Sequence, residues 1–308
     1  MTTVDGLVGK IQQAVPDLVV RDARLSSSYG SYYFRLIVND ELEFLFPRTD
    51  QGNIRLNREI ELLKALQGRL PLPIPVPQYW SPPNAPSGAA FLGYRALSGT
   101  LLSVALREEN LPAPVFRRLV SQMANFMQAL HDIPASSLGI DLPRSETREE
   151  ISQMHADVHA KLVPAMRPEA SGWIDRLFQP FLSNPHNFDY APVVRHGALL
   201  GENIRIDPER GAVCGVDDFS RVSLGDPAVD AACLASISEA FFSELYQVDQ
   251  DEIGELIWRA QFYKSTAALQ SALAALEMGD DQAYQHGMAA YLPQSAGVPV
   301  DPRSPRTR

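Results

Sequence analysis

Three short segments of this 308-residue chain combine side chains that can bind metal ions or move protons. The first segment, Arg195–Asn203, contains a histidine and ends in an asparagine. The second, Cys214–Ser220, contains the adjacent carboxylates Asp217 and Asp218, and the third, Gly225–Asp230, contains two more aspartates. Carboxylate and amide oxygens are ligands that magnesium prefers, and carboxylates and imidazoles are common proton acceptors. The residue types alone therefore leave both metal binding and acid–base catalysis open.

Other kinds of site are excluded or only weakly indicated. No GxxxxGK[ST] string is present, which excludes a Walker-type nucleotide site, and no G-x-S-x-G nucleophile elbow occurs. His155 and His159 have a spacing that can hold a metal ion on a helix, but without an evident third ligand we interpret them as surface histidines. The two cysteines, Cys214 and Cys233, are too few for a disulfide framework or a zinc site.

The composition restricts the partners and the location of the chain. A net charge of −10 argues against sequence-independent binding to nucleic acid. No apolar run reaches the roughly 18 residues of a membrane span, and Asp5 interrupts the apolar core that a signal peptide needs. We therefore expect a cytoplasmic protein with no nucleic-acid or membrane partner.

The negative charge is concentrated in one part of the chain. Residues 215–285 contain thirteen acidic and three basic residues, so this stretch carries the whole net charge of −10. These acidic residues either form a solvated helix surface or produce an electric field that concentrates a cationic substrate.

The N-terminal part has the pattern of a small mixed domain. A hairpin is expected with Asn39-Asp40 as a two-residue connection, a helix over 54–66, and an extended connector over the prolines of 71–77. The predicted strands are 32–38, 41–46, 78–80 and 91–94.

After residue 100 the pattern is mainly helical. The predicted helices are 114–131, 148–163, 171–182, 228–245, 251–277 and 280–291. Three brief strands are expected at 193–194, 204–206 and 213–216. Asp226 is the expected N-cap of the helix that follows it, with Pro227 at its first position. The fold class is α+β, with a strand-rich lobe over 1–97, a larger helical lobe over 98–296 and a loosely ordered tail over 297–308.

The order and spacing of the three segments resemble the aminoglycoside phosphotransferase and choline-kinase-like family, a branch of the protein-kinase-like fold. That family has H-G-D-x-x-x-x-N, a strand leading to an I-D-F-G-like turn, and then G-D-P-x-x-D-L-A. Further family-like strings are Phe46-Pro47-Arg48, Arg58-Glu59, Pro71–Pro77 and Leu130-His131-Asp132-Ile133-Pro134. The resemblance covers nearly the whole chain. It implies a two-lobed kinase-like fold that uses Mg²⁺ and transfers the γ-phosphate of ATP or GTP to a small-molecule hydroxyl.

The resemblance also implies a role for individual residues. Asp218 is the expected magnesium-binding carboxylate and Asn203 the second ligand, with an Asx-turn acid and a structural loop amide as the plainer alternatives. His196 is expected to brace the catalytic loop, and the aspartates of Gly225–Asp230 to belong to the scaffold. The nucleotide-binding residues implied are Glu59, Gly30 and Tyr94, with the nucleotide near the connector 94–97.

Two positions depart from the family pattern. Ala198 stands where the family has its catalytic aspartate, and a methyl group cannot accept a proton. Ala198 is either an engineered substitution, a natural loss, or a sign that Asp217 or Glu202 has become the base. Leu45 stands where the family has a Lys or Arg that binds phosphates and pairs with the helix glutamate.

Two hypotheses follow from these matches and departures. In the first, which we favour, the chain is a small-molecule phosphotransferase that is slowed or inactivated by Ala198, with a cationic substrate as one candidate. In the second, it is an inactive relative that binds a nucleotide or small ligand as a sensor or scaffold. Ala198 and Leu45 favour the second hypothesis, whereas Asn203 and Asp218 favour the first.

Overall fold

The computed structural model describes residues 3–26, 32–83, 85–86, 88–108, 111–248 and 250–291. Gly30 and the predicted tail 297–308 lie outside these residues. The chain divides into two compact units, one of Met1–Asp141 with Ala198–Val222 and one of Leu142–Gly197 with Ser223–Arg308. The predicted lobe boundary between residues 97 and 98 stays a prediction.

The first unit contains a five-stranded antiparallel sheet with the strand order β1-β2-β3-β5-β4. Its strands are β1 (Ala23–Leu25), β2 (Tyr33–Val38), β3 (Leu42–Pro47), β4 (Pro77–Trp80) and β5 (Leu92–Arg95). The predicted hairpin is confirmed, but its connection has three residues, because Val38 pairs with Leu42. Asn39 and Asp40 both have positive φ, at 54° and 55°, a conformation that these two residue types tolerate better than most.

The described part of the first unit contains four α-helices. They are α1 (Val4–Ala14), α2 (Asp50–Leu66), α3 (Leu102–Glu108) and α4 (Ala113–His131). Helix α2 begins four residues before the predicted start, because Thr49 Oγ1 accepts a hydrogen bond from Gly52 N at 3.0 Å and caps the helix there. The sequence did not predict α1, which buries Leu7 and Ile11 against Leu36 and Phe44 of the sheet.

A second, three-stranded sheet in the first unit brings the first two chemical segments together. Its strands are β6 (Thr100–Leu101), β8 (Ile204–Asp207) and β9 (Ala212–Val216), in the order β6-β8-β9. Ile204 pairs with Val216 across the antiparallel β8–β9 ladder. Asn203 comes directly before β8 and Asp217 directly after β9, so both residues lie at the same end of this ladder.

The second unit is mostly helical, with one short antiparallel pair of strands, β7 (Val193–Arg195) and β10 (Ser223–Gly225). Its helices are α5 (Arg148–Asp157), α6 (Ala170–Ser183), α7 (Ala228–Ile237), α8 (Glu239–Val248), α9 (Gln250–Met278) and α10 (Asp281–Tyr291). Stacked rings of Phe181 and Phe262, with centroids 3.7 Å apart, join α6 to α9 in its core. Among the described residues, no helix is both long and apolar enough to cross a membrane.

Three predicted helix boundaries need correction. The predicted helix 228–245 is interrupted at Ser238, whose backbone is extended and whose Oγ accepts a hydrogen bond from Phe241 N at 3.0 Å. The predicted helix 148–163 is α-helical only to Asp157 and continues as a π-helical turn over Val158–Leu162. Pro227 precedes the first helical residue of α7, while Asp226 Oδ1 accepts from Ala228 N at 2.9 Å.

Candidate functional site

The segments that carry the two predicted metal ligands, Asn203 and Asp218, meet at the end of the β8–β9 ladder. Asp217 N donates a hydrogen bond to Asn203 O at 2.8 Å, which joins the backbone of the first segment to that of the second. Asn203 Nδ2 donates to Ala198 O at 2.9 Å and so fixes the loop between these residues. A metal ion would use the other atom of this amide, its oxygen.

Asp218 has an unusual backbone conformation that its own side chain supports. Its φ is 62° and its ψ is 70°, in the left-handed region that aspartate enters only occasionally. Its Oδ1 accepts hydrogen bonds from Ser220 N at 3.4 Å and from Ser220 Oγ at 2.6 Å, so the Asx-turn that the sequence left as an alternative is present. A carboxylate and an amide oxygen at one strand end fit the ligand preference of magnesium.

Glu59 is buried beside this turn and is largely protonated at neutral pH. Its Oε1 accepts a hydrogen bond from Phe219 N at 3.1 Å. Burial, followed by the charge of Asp218, raises the pKa of Glu59 to about 8, and a hydrogen bond from Tyr33 offsets only part of that rise. A glutamate that is mostly neutral forms only a weak ion pair, which agrees with the presence of Leu45 in place of the family's strand cation.

Arg35, a residue that the sequence analysis missed, supplies a cation in this region. It lies directly opposite Leu45 in the β2–β3 register, so the two side chains share one face of the sheet. Arg35 Nη1 donates to Asp217 Oδ2 at 2.5 Å and also pairs with Glu43, whose side chain is 2% exposed. The correct hairpin register would have been the signal for finding it.

Asp217 is held as a carboxylate by its surroundings. Burial is the largest single influence and would raise its pKa. The charge and hydrogen bond of Arg35, together with hydrogen bonds from Asp218 N and Tyr94 OH, nevertheless hold the pKa of Asp217 below its usual value. Its Oδ1 accepts hydrogen bonds from Tyr94 OH at 3.2 Å and from Asp218 N at 2.8 Å. A carboxylate with a lowered pKa is a weak base, which argues against Asp217 as the replacement for the missing catalytic aspartate. The Tyr94 side chain is 1% exposed and supports Asp217, and its nucleotide role stays a prediction.

Helix α2 presents a second cation near the turn. Arg55, one helical turn before Glu59, donates from Nη1 to Ser220 O at 3.3 Å. Its guanidinium carbon lies 4.4 Å from the centroid of the Tyr32 ring. Its Nε is buried without a hydrogen-bond acceptor among the described residues. Arg55 was also missed, because a single arginine on a helix carries no spacing signal.

The catalytic-loop position of Ala198 contains no group that accepts a proton. Ala198 is 2% exposed, and the nearby Glu202, the other candidate base, is exposed to solvent. The beginning of the same loop belongs to the second unit, where Asp230 accepts hydrogen bonds from His196 N at 2.8 Å and Gly197 N at 2.6 Å. The bracing role of the His196 imidazole stays a prediction.

The third segment is bound into the second unit by internal contacts. Asp226 is fully buried and accepts from Arg259 Nε at 2.7 Å and Tyr263 OH at 3.0 Å. Gly225 leaves room for a carboxylate, since a Cβ there would lie 2.1 Å from Glu146 Oε2 and would displace it. The same glutamate pairs with Arg195, from Oε1 to Nη2 at 2.6 Å. These contacts favour the scaffold role expected for this segment.

Comparison with known proteins identifies what this arrangement resembles. The model of the phosphotransferase enzyme family matches residues 17–269 of the chain. The chain is 26% identical over 264 residues to the viomycin phosphotransferase of Streptomyces vinaceus, covering 84% of this chain and 90% of that protein. The aminoglycoside 3'-phosphotransferase of Streptomyces fradiae is 30% identical over 168 residues, 53% of this chain and 58% of that protein.

A solved structure shares the fold. The GDP complex of the wild-type aminoglycoside 2'-phosphotransferase-IIIa superposes with a TM-score of 0.84 at 22% identity, covering 96% of this chain and 99% of that one. The expected α+β, protein-kinase-like fold is thereby confirmed. The comparisons do not support the hypothesis of an inactive relative.

Proposed function

Because the chain belongs to the phosphotransferase enzyme family, we propose that it transfers the γ-phosphate of ATP or GTP to a hydroxyl group of a small molecule. The observation that supports this proposal most strongly is the hydrogen bond from Asp217 N to Asn203 O at 2.8 Å. It joins the backbone of Asn203 to that of Asp217, the residue before Asp218, at one end of the β8–β9 ladder. Phosphoryl transfer depends mainly on such positioning and on neutralising charge.

In this proposal Asp218 and Asn203 hold Mg²⁺ through the carboxylate and the amide oxygen. Bound magnesium would neutralise charge on the phosphate oxygens of the nucleotide. The Ser220 hydroxyl, 2.6 Å from Asp218 Oδ1, orients the carboxylate for this task. The nucleotide lies near the connector 94–97. Glu59 and Tyr94 support the site through their hydrogen bonds to Phe219 N and Asp217 Oδ1.

Arg35 and Arg55 take over part of the role of the missing strand cation. Arg35 fixes Asp217, which precedes the metal-binding turn, and Arg55 holds the carbonyl of Ser220, which follows it. Both guanidinium groups therefore orient the turn from opposite ends. Neither arginine can accept a proton. The substrate hydroxyl, which would lie near Ala198, must therefore lose its proton to water, to phosphate or to Glu202.

The substrate proposed is a cationic small molecule that carries hydroxyl groups. Residues 215–285 carry the whole net charge of −10, and this field attracts cations. The solved GDP and kanamycin complex of APH(2″)-IIia, with a TM-score of 0.82 at 23% identity, contains such a ligand.

A product assay tests the proposed function. The chain is incubated with Mg²⁺, ATP or GTP, and a panel that includes kanamycin and viomycin, and mass spectrometry detects addition of one phosphoryl group. We expect a product with at least one acceptor, no product with Asp218→Asn, and an unchanged yield with the exposed control Asp189→Asn. Absence of product from every acceptor and nucleotide at extended times contradicts the proposal, as does full activity of Asp218→Asn.

A further inference from the structure

Three side chains of the second unit converge on one point, and none of them belongs to the segments described above. His155 lies on α5, His159 on the π-helical turn after it, and Asp175 on α6. Asp175 Oδ1 is 2.9 Å from His155 Nε2 and 3.0 Å from His159 Nε2, and the two nitrogens are 3.2 Å apart. The sequence analysis interpreted His155 and His159 as surface histidines because no third ligand was evident, and the fold places Asp175 beside them.

These distances are close to those of a metal site. Ligand atoms about 2.0–2.2 Å from a tetrahedral zinc ion lie roughly 3.3–3.6 Å from one another. The three observed separations span 2.9–3.2 Å, and the three atoms form one mutually close group. A small outward movement of each side chain would admit a cation.

The two imidazoles are held in place by their neighbours. The ring of His155 stacks on Phe178 with centroids 4.9 Å apart and meets the His159 ring edge-on at 4.7 Å. His155 is 16% exposed and His159 30%, whereas Asp175 is 47% exposed, so the cluster is fixed on one side and reaches solvent on the other. Water can therefore complete the coordination.

The backbone beneath His159 has a local irregularity. Val163 N donates to Val158 O across five residues, which widens the helix by one residue at this turn. Such π-helical turns occur frequently at functional sites. Two imidazoles and one carboxylate suit zinc and neighbouring first-row divalent ions rather than magnesium, which prefers oxygen ligands.

We propose that His155, His159 and Asp175 form a binding site for a divalent transition-metal ion of the zinc class, with water as the remaining ligand. The bound ion would connect α5 and its π-helical extension to α6. Because this site uses none of the residues assigned to phosphoryl transfer, it is independent of the proposed function.

Calorimetric titration of the untagged, chelator-treated protein with Zn²⁺ tests this proposal. Excess Mg²⁺ is present throughout, so that oxygen-ligand sites do not contribute. We expect one Zn²⁺ per chain, with a dissociation constant raised by more than about tenfold in His155→Gln, His159→Gln and Asp175→Asn. The exposed histidine variant His186→Gln is the matched control and should bind like the unmodified chain.

Two further measurements make the result decisive. Zn²⁺ should raise the melting temperature of the unmodified chain and of His186→Gln but not of the three ligand variants. Bound Co²⁺ should give the visible absorption of a four-coordinate site, a readout that needs no variant to fold. No stoichiometric Zn²⁺ binding by the unmodified chain overturns the proposal, and so does equal binding by folded ligand variants. In either case Asp175 only accepts hydrogen bonds from the two imidazoles.

Discussion

Arg35 lies opposite Leu45 in the β2–β3 register, and its guanidinium donates to Asp217 Oδ2 at 2.5 Å. In the family pattern a cation is expected on β3 at position 45, whereas here it stands on the adjacent strand. The same guanidinium neutralises Glu43, which also lies 3.5 Å from Arg205 Nη2. Arg35 therefore places a cation on the same face of the sheet as position 45, but on the neighbouring strand.

Removing this cation should destabilise the fold strongly. Arg35→Leu leaves the buried carboxylates Asp217 and Glu43 without their shared partner, and we expect a loss of about 3–5 kcal/mol in the free energy of unfolding. Urea denaturation measures this loss. The control Arg24→Leu removes an exposed ion pair and should cost no more than about 1 kcal/mol.

A compensating substitution tests whether a guanidinium at position 45 can replace the one at position 35. Adding Leu45→Arg to Arg35→Leu returns a guanidinium to the same face, so the double variant should recover part of the lost stability. A double variant no more stable than Arg35→Leu contradicts this interpretation of the register.

The pKa of Glu59 predicts a pH dependence of stability. Its pKa is raised to about 8 in the folded state, so between pH 5 and pH 8 the folded chain holds a proton that the unfolded chain has lost. Raising the pH across this window therefore reduces the free energy of unfolding, by about 1 kcal/mol per pH unit from this group. Glu59→Gln should remove that component.

The comparison is made by urea denaturation at several pH values. The exposed Glu61→Gln on the same helix serves as the control and should keep the slope of the unmodified chain. An unchanged slope in Glu59→Gln would show that Glu59 is ionised at neutral pH.

Restoring a proton acceptor at position 198 should accelerate phosphoryl transfer. Ala198→Asp supplies the general base that the loop lacks, and we expect turnover to rise by about 10²–10⁴-fold with little change in nucleotide affinity. Ala198→Asn adds a similar volume without a base and is the control. Steady-state kinetics separate the change in turnover from any change in nucleotide affinity. If the unmodified chain already turns over at roughly 1–100 per second, a base is present, and exposed Glu202 becomes the candidate.

Binding of a cationic acceptor should weaken as ionic strength rises. Part of the acidic stretch 215–285 is used internally, since Asp217, Asp226 and Asp230 are buried, and the remaining acids supply the field. Salt screens that field, because the Debye length falls from about 10 Å at 0.1 M to about 3 Å at 1 M. The N-acetylated form of the same acceptor is the control. Saturable binding that is equally strong at both salt concentrations contradicts this role for the charge.

Four of the five strands of the sheet could be predicted from the sequence, but β1 and the register of the hairpin could not. Strand propensity and Asn39-Asp40 located the hairpin, yet the connection also includes Glu41. A one-residue change in register moves every side chain of a strand to face a different partner. With the expected two-residue connection, Arg35 would lie opposite Phe44. Its pairing with position 45 could therefore not be predicted from the sequence.

The candidate site was predictable where residue spacing carries the signal and not where the fold alone creates proximity. Asn203 and Asp218 stand in strings whose spacing is characteristic, and the structure brings their segments together. Asp175 meets His155 and His159 from another helix, and no spacing along the chain links them. Likewise, residues 198–222 join the first unit through the pairing of β6 with β8, a contact between distant parts of the chain.

The most direct test is the magnesium dependence of nucleotide binding, measured by calorimetry and thermal shift with ATP and GTP. Magnesium-dependent binding by the unmodified chain is predicted, with a stabilisation of about 2.7 kcal/mol at 100 times the dissociation constant. Asp218→Asn should lose this dependence, whereas Asp189→Asn should keep it. No binding of either magnesium–nucleotide at millimolar concentration would contradict the account, and so would an undiminished magnesium effect in Asp218→Asn.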